Sequence, residues 1–199
     1  MRAYPAAALA LLGFAVLTTG CSLSAKDDPS QFYVLAAPVD TARATAGDVI
    51  LGLGPITLPR YLHRPQMVTR VGENQVTISE DYRWAEDLEA GVARVMRQDL
   101  ERTAGATQIL IYPWLVTRNV HYAVEVDFLR FEGDSAGVVE LWAAWRIREL
   151  ATHDVLVAEE FRITQQAAGT ARSDVVTAQS QAVVALSREV AAALGNIQD

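Results

Sequence analysis

The sequence predicts a single α+β domain with a mixed or mostly antiparallel sheet and two main helices. Short apolar runs separated by turn residues fill most of the chain, as is typical of strands. Two stretches, residues 86–102 and 173–194, change to a helical period. The strands are joined by hairpin-like links more than by crossover helices, which favours α+β over a parallel α/β fold. With 199 residues, 51% of them hydrophobic, the chain suffices for one packed domain.

The first half of the chain predicts four strands and then a helix. The strands are residues 32–35, 49–58, 66–71 and 75–78, and Gly54-Pro55 interrupts the second with a bulge or bend. In the helix, one stripe is apolar and the opposite face is charged. The stripe consists of Leu88, Val92, Val95, Met96 and Leu100.

The second half repeats this order, with four strands followed by the C-terminal helix. The strands are residues 108–112, 122–128, 139–147 and 155–163, and a turn at 133–137 joins the middle two. The inward face of the third is predicted to consist of Val139, Leu141, Ala143, Trp145 and Ile147. The apolar stripe of the helix is Val176, Val183, Leu186, Val190 and Leu194.

The N-terminus is typical of a bacterial lipoprotein. Arg2 precedes an apolar run at 6–17, which is too short to cross a bilayer but suits a signal peptide. Small residues then lead into Cys21, the single cysteine of the chain. We therefore predict a signal peptide at 1–20, a lipidated tether at 21–30 and one domain at 31–199. The alternative is an ordinary secretory signal followed by an incidental free thiol.

Charge and cysteine content narrow the choice of partners. The formal net charge is −7, so the chain has no general attraction for phosphate backbones and nucleic acid is not an expected partner. A single cysteine permits no intrachain disulfide and no cysteine-rich zinc site. After Cys21 no apolar stretch is long enough to span a membrane.

No group of residues has the spacing of a catalytic, cofactor or metal site. The three histidines, His63, His121 and His153, are isolated from one another. Glu125 and Asp127 share a strand face, as two acid–base carboxylates would, but the solvated face of an amphipathic strand is the favoured explanation. We expect no catalytic residues, no cofactor and no metal.

The segment at 58–66 is unusual because two prolines bracket aromatic, aliphatic and basic side chains. Apolar residues in such a loop either fold back over the core or anchor a partner. We expect a docking surface here, formed by Tyr61, Leu62, Arg64 and Trp84.

These segments also carry a resemblance, which extends in order over essentially the whole predicted domain. The matching stretches are Cys21 and residues 31–35, 58–70, 82–88, 112–114 and 124–131. On them, the chain resembles the ABC-type transport auxiliary lipoprotein family. The resemblance implies a non-enzymatic lipoprotein of a lipid-transport system that supports envelope integrity. It would dock an MCE-domain tunnel protein and form a homo-oligomeric ring. Ser22 after the cysteine, by resemblance to lipoproteins of diderm bacteria, favours the periplasmic side of the outer membrane.

Two other functions remain open at this stage. The first is a lipid-anchored carrier of a small ligand such as a lipid, which requires a deep apolar pocket. The second is an envelope hydrolase, which requires converging acidic side chains with raised pKa values.

Overall fold

The computed structural model describes residues 28–37, 48–114 and 120–198. The elements follow the predicted order of four strands, a helix, four strands and a helix. They are β1 (Gln31–Tyr33), β2 (Ile50–Thr57), β3 (Gln66–Gly72), β4 (Gln75–Trp84), α1 (Leu88–Thr103), β5 (Gln108–Ile111), β6 (Tyr122–Asp134), β7 (Val138–Glu149), β8 (Val155–Gln166) and α2 (Arg172–Gln198). The predicted signal peptide and Cys21 lie outside the described residues.

All eight strands belong to one mixed sheet organised around β6, which confirms the predicted fold class. On one side, β6, β7 and β8 form an antiparallel meander. On the other side, β6 pairs in parallel first with β2 and then, near its end, with β3. Strand β5 continues the sheet beyond β2, while β4 and β1 continue it beyond β3.

Strands β2 and β3 pair with the same edge of β6, and the pairing along this edge is interrupted between them. The last residue of β2 in register with it is Thr57, opposite Asp127, and the first residue of β3 is Thr69, opposite Gly133. Residues 128–132 of β6 therefore have no strand partner on this edge in the described part of the chain. The segment that joins β2 to β3 lies beside this break and contains a single 3₁₀ turn, Arg60–Leu62.

Both helices pack against the sheet and against each other, and their predicted apolar stripes form much of the core. All ten stripe residues named above are buried, as is the whole predicted inward face of β7. Removing these side chains from water supplies the main stabilising free energy, at about 25 cal/mol per Å² of apolar area. The periodicity predictions for these elements are confirmed.

Two irregularities change the alternation of the strands. Strand β2 shifts register between Leu53 and Ile56, where Gly54 has φ 115°, a conformation that favours glycine; the predicted bend is confirmed. Strand β6 has a bulge between Phe128 and Arg130. As a result, Phe128 and Phe131 both face the core, with ring centroids 5.4 Å apart.

Candidate functional site

The segment between β2 and β3 is fixed to the domain at several points. The 3₁₀ turn is closed by a hydrogen bond of 2.8 Å from the Leu62 N–H to the Pro59 carbonyl oxygen. At its other end, the Trp84 N–H donates to the Pro65 carbonyl oxygen at 2.7 Å. The prolines restrict the backbone as well. This loop is therefore a built part of the fold.

The structure separates the four predicted docking residues into two groups. Leu62 is 4% exposed and Trp84 is 6% exposed, and both belong to the hydrophobic core. These two side chains therefore lie on the core side of the loop and do not form its solvent-facing surface. The other reading, that apolar loop residues fold back over the core, applies to them. Tyr61 and Arg64 are half-buried, so each presents part of its surface to solvent.

The Tyr61 hydroxyl contacts a buried carboxylate, that of Glu132, which was not among the predicted site residues. The side chain of Glu132 is 1% exposed, although it is charged. Its Oε2 accepts hydrogen bonds from the Tyr61 hydroxyl at 2.9 Å and from the Phe131 N–H at 3.1 Å. Its Oε1 pairs with the Arg70 guanidinium, and Arg130 Nε lies 3.9 Å away. The carboxylate thus satisfies a backbone donor at the break in the β6 pairing.

This cluster changes the acidity of its members. Burial, together with the neighbouring Glu132 charge, raises the pKa of Tyr61 to about 12. For Arg70, burial acts to lower the pKa, but hydrogen bonding and attraction to Glu132 outweigh it, so the pKa is raised. The arrangement favours a neutral tyrosine hydroxyl that donates and a charged arginine. It holds the loop against β6 and is suited to positioning more than to proton transfer.

No sequence pattern singled out Glu132. It stands between Phe131, which is buried, and Gly133, where a Cβ would lie 2.7 Å from the Val175 side chain on α2, so its neighbours pack tightly in the structure. The bulge in β6 reverses the alternation of its earlier residues, so the strand's own pattern does not show on which face Glu132 lies.

A cleft of about 630 Å³ lies beside the loop. Its walls come from the end of β2, the loop, the first turns of α1, and Ile111 and Tyr112 at the end of β5. The apolar lining includes Leu53, Ile56, Leu58, Leu62, Leu88 and Ala93. His63, Arg64, Asp87 and Glu89 supply charged or polar groups to the same cleft. Volume and lining are in the range of small-ligand sites.

The two carboxylates considered as acid–base candidates have structural partners. Glu125 pairs with Arg146 and, at 3.2 Å, with Nε of Arg148. Asp127 accepts a hydrogen bond from the Thr57 hydroxyl across the β2–β6 pair. The arginines hold Glu125 as an ion pair on the sheet face, which is the solvated-face interpretation of this pattern.

Two of the three histidine rings have a local hydrogen-bond partner. A ring nitrogen of His63 lies 2.9 Å from the Leu58 carbonyl oxygen, and His121 Nδ1 accepts from the Ile50 N–H at 3.0 Å. His153 lies between β7 and β8 with φ 64°. Over residues 28–37, 48–114 and 120–198, no three His, Cys, Asp or Glu side chains are grouped as metal ligands.

The face of β6, β7 and β8 that carries Glu140 is a network of ion pairs, here called the outer face. Glu140 bonds to Arg130 and, at 2.8 Å, to Nε of Arg162. Burial alone would raise the pKa of Glu140, but the two arginines outweigh it and the pKa is lowered. The Arg162 guanidinium lies 5.3 Å from the centre of the Trp142 ring, whose N–H donates to Glu160 at 3.1 Å.

Neither α1 nor α2 meets the length and hydropathy that a transmembrane helix requires, and the described residues contain no other α-helix.

Comparison with known proteins identifies the family. The model of the ABC-type transport auxiliary lipoprotein component matches residues 33–191. No curated protein matches the sequence. A crystal structure of an uncharacterized protein has a TM-score of 0.67 at 15% identity, covering 81% of this chain and 96% of its own. The protein XCC0632 from Xanthomonas campestris, a DUF330 protein, has a TM-score of 0.64 at 18% identity, covering 81% of this chain and 92% of its own. These two structures share the fold, and the family model covers most of the chain. The chain therefore belongs to the ABC-type transport auxiliary lipoprotein family.

Proposed function

We propose that the protein is a non-enzymatic, lipid-anchored subunit of an envelope lipid-transport system that docks an MCE-domain protein at the outer membrane. The observation that carries this proposal is the family match over residues 33–191, which describes a transport auxiliary lipoprotein. The structural partners of Glu125, Asp127, His63 and His121 support a role without catalysis. A lipoprotein component of a transport system belongs in the cell envelope.

The proposed anchor would keep the domain close to the membrane. Cys21 carries the acyl chains, and β1 begins at Gln31. The nine intervening residues span at most about 30 Å, at roughly 3.3–3.6 Å each. More than one acyl chain makes attachment effectively permanent. A partner that crosses the periplasm therefore meets the domain near the headgroups.

The proposed docking surface is the solvent-facing part of the 58–66 loop. Tyr61 and Arg64 offer the partner an aromatic ring and a cation, two of the side chains favoured as interface anchors. Leu62 and Trp84 support the loop from the core side. Because the loop is already fixed by Glu132, little conformational entropy is lost on binding.

Crosslinking in intact envelopes, followed by detergent solubilisation and co-purification, tests the proposal. The chain should recover an MCE-domain protein and should fractionate with the outer membrane. Arg64→Ala should lower that recovery about tenfold or more, as for an anchor residue. The matched control is Arg188→Ala, at an exposed arginine of α2, which should leave recovery unchanged. Equal recovery with both variants would remove the loop from the interface, and failure to recover such a protein would overturn the docking role.

The 630 Å³ cleft favours a second candidate, a carrier that holds a lipid chain. Its apolar lining and polar rim fit an amphipathic ligand. Mass spectrometry of organic extracts from the purified protein would then find lipid in stoichiometric amount. Ala90→Trp should abolish the lipid without unfolding the chain, because this exposed α1 residue lines the cleft. Ala192→Trp, at an exposed position of α2, is the control.

A further inference from the structure

Strand β8 is a long sheet edge without a partner. It pairs with β7 over nearly its whole length, and no other described strand pairs with its second edge. It contains neither proline nor lysine, two residues that proteins use to block such edges, and its charged residues are Glu159 on the core-facing side and Glu160 and Arg162 on the outer face. A row of backbone N–H and C=O groups is therefore available to another strand.

The side chains near this edge are incompletely covered. Val157, Phe161 and Ile163 pack against the core but remain half-buried. Val155 and Leu156, at the start of the strand, are 48% and 40% exposed. Apolar side chains therefore extend to the edge of the sheet, where they stay partly exposed to solvent.

We propose that this edge pairs with the same strand of a second copy, antiparallel and about a two-fold axis that passes beside Phe161. The two sheets would then join into one continuous sheet. Residues on the outer face of one copy meet residues on the outer face of the other, since a two-fold axis perpendicular to a sheet preserves its faces.

Charge selects this register. With Phe161 opposite its counterpart, Glu160 of each copy lies opposite Arg162 of the other, so the contact contains two ion pairs. Glu160 and Arg162 are both exposed on the outer face. The nearest alternative registers that keep the outer faces of both copies on the same side differ from this one by two residues. One of them places Glu160 against Glu160, and the other places Arg162 against Arg162. Like charges directly opposite each other destabilise a strand pair.

The Phe161 side chains favour the same register, in which Glu159 of each copy lies opposite Ile163 of the other. It brings the two Phe161 rings together on the core side, because the Cβ atoms of directly opposite residues are about 4.5–5.5 Å apart. Each half-buried ring gains cover from the other. This contact is two-fold and differs from a head-to-tail ring contact, so it does not depend on the proposed docking function.

Charge reversal in the full chain, purified in detergent, gives a direct test by native mass spectrometry and sedimentation equilibrium. Glu160→Arg creates two Arg–Arg contacts in the dimer, and Arg162→Glu creates two Glu–Glu contacts. Each variant alone should weaken dimerisation about tenfold or more. Mixed together, the two variants should form a heterodimer, because every facing pair again has opposite charges. The double variant should likewise regain the homodimer.

The heterodimer also controls for folding, since an unfolded variant would not pair. Glu80→Arg, at an exposed position of β4, is a matched charge reversal that should leave dimerisation unchanged. A second test places cysteines at Ala158 and Thr164, which are exposed and lie opposite each other in the proposed register. In a Cys21→Ser background these should form intermolecular disulfides. A monomeric wild-type chain, or single variants that dimerise as the wild type does, would overturn the proposal.

Discussion

Replacing Glu132 with glutamine tests whether this buried carboxylate is an obligatory acceptor. Glutamine has almost the same size, so the change leaves no cavity. The three groups around the carboxylate are all donors, namely the Tyr61 hydroxyl, the Phe131 N–H and the Arg70 guanidinium. An amide has only one acceptor oxygen, and its NH₂ group donates. The tyrosine hydroxyl can reverse its role, but the two N–H donors cannot, so one of them faces another donor.

The expected loss of unfolding free energy follows from these contacts. A hydrogen bond to a charged group contributes about 1.5–3 kcal/mol, and a buried donor left without a partner costs about 1–3 kcal/mol. Arg70 keeps part of its interactions, because its side chain is 19% exposed and it also donates to the Glu73 carbonyl oxygen at 2.7 Å. The two effects overlap, so we expect a loss of about 2–4 kcal/mol.

Urea unfolding followed by tryptophan fluorescence measures this loss. The midpoint should fall while the dependence on urea concentration stays constant, which separates a change in stability from a change in compactness. Glu80→Gln, at an exposed carboxylate of β4, should change the unfolding free energy by less than about 0.5 kcal/mol. If Glu132→Gln stays within the range of this control, the carboxylate does not hold the loop and the reasoning is refuted.

Three further outcomes are expected. Leu62→Ala should lower the unfolding free energy by about 2–5 kcal/mol, because the side chain is buried; a melting temperature equal to that of the wild type would mean that it is not core. Stability should fall between pH 10 and about 12, because Tyr61 keeps its proton in the folded state after the unfolded chain has lost it. Tyr61→Phe should show a smaller fall over that range in pH-dependent urea titrations. Cys21→Ser should leave the domain folded but release it from the membrane on fractionation; an unmodified wild-type N-terminus by mass spectrometry would contradict the predicted anchor.

Periodicity was sufficient to predict the helices and the inward face of β7. Each of those patterns depends on a regular backbone, so one apolar stripe identifies the buried side. Residues 122–128 also followed the expected alternation. Beyond them the bulge at Phe128 adds a residue, and the strand continues to Asp134 with its faces exchanged. A bulge depends on pairing with β7, and a single strand's sequence does not report it.

The loop and the parallel pairings were harder to predict for a different reason. An apolar residue outside regular structure, such as Leu62, fits either a core or an interface, and only its neighbours in space decide. The sequence likewise did not indicate that β2 and β3 share one edge of β6. That arrangement depends on contacts between segments about 70 residues apart, such as Thr57 with Asp127. Local preferences are weak over such separations, and packing determines the pairing.

The central position of β6 also has a consequence for the order in which the sheet is completed. Strands β2 and β3 precede β6 in the chain, yet both require its edge. During synthesis the first half therefore has no finished sheet to form, while the β6–β7 and β7–β8 pairs join strands that are neighbours in sequence and can associate rapidly. If the predicted signal peptide directs export with the N-terminus first, the leading half of the chain would cross the membrane before the strand that organises it is available. In such an export step, late completion of the sheet would favour an unfolded leading segment, because β2 and β3 lack the edge of β6.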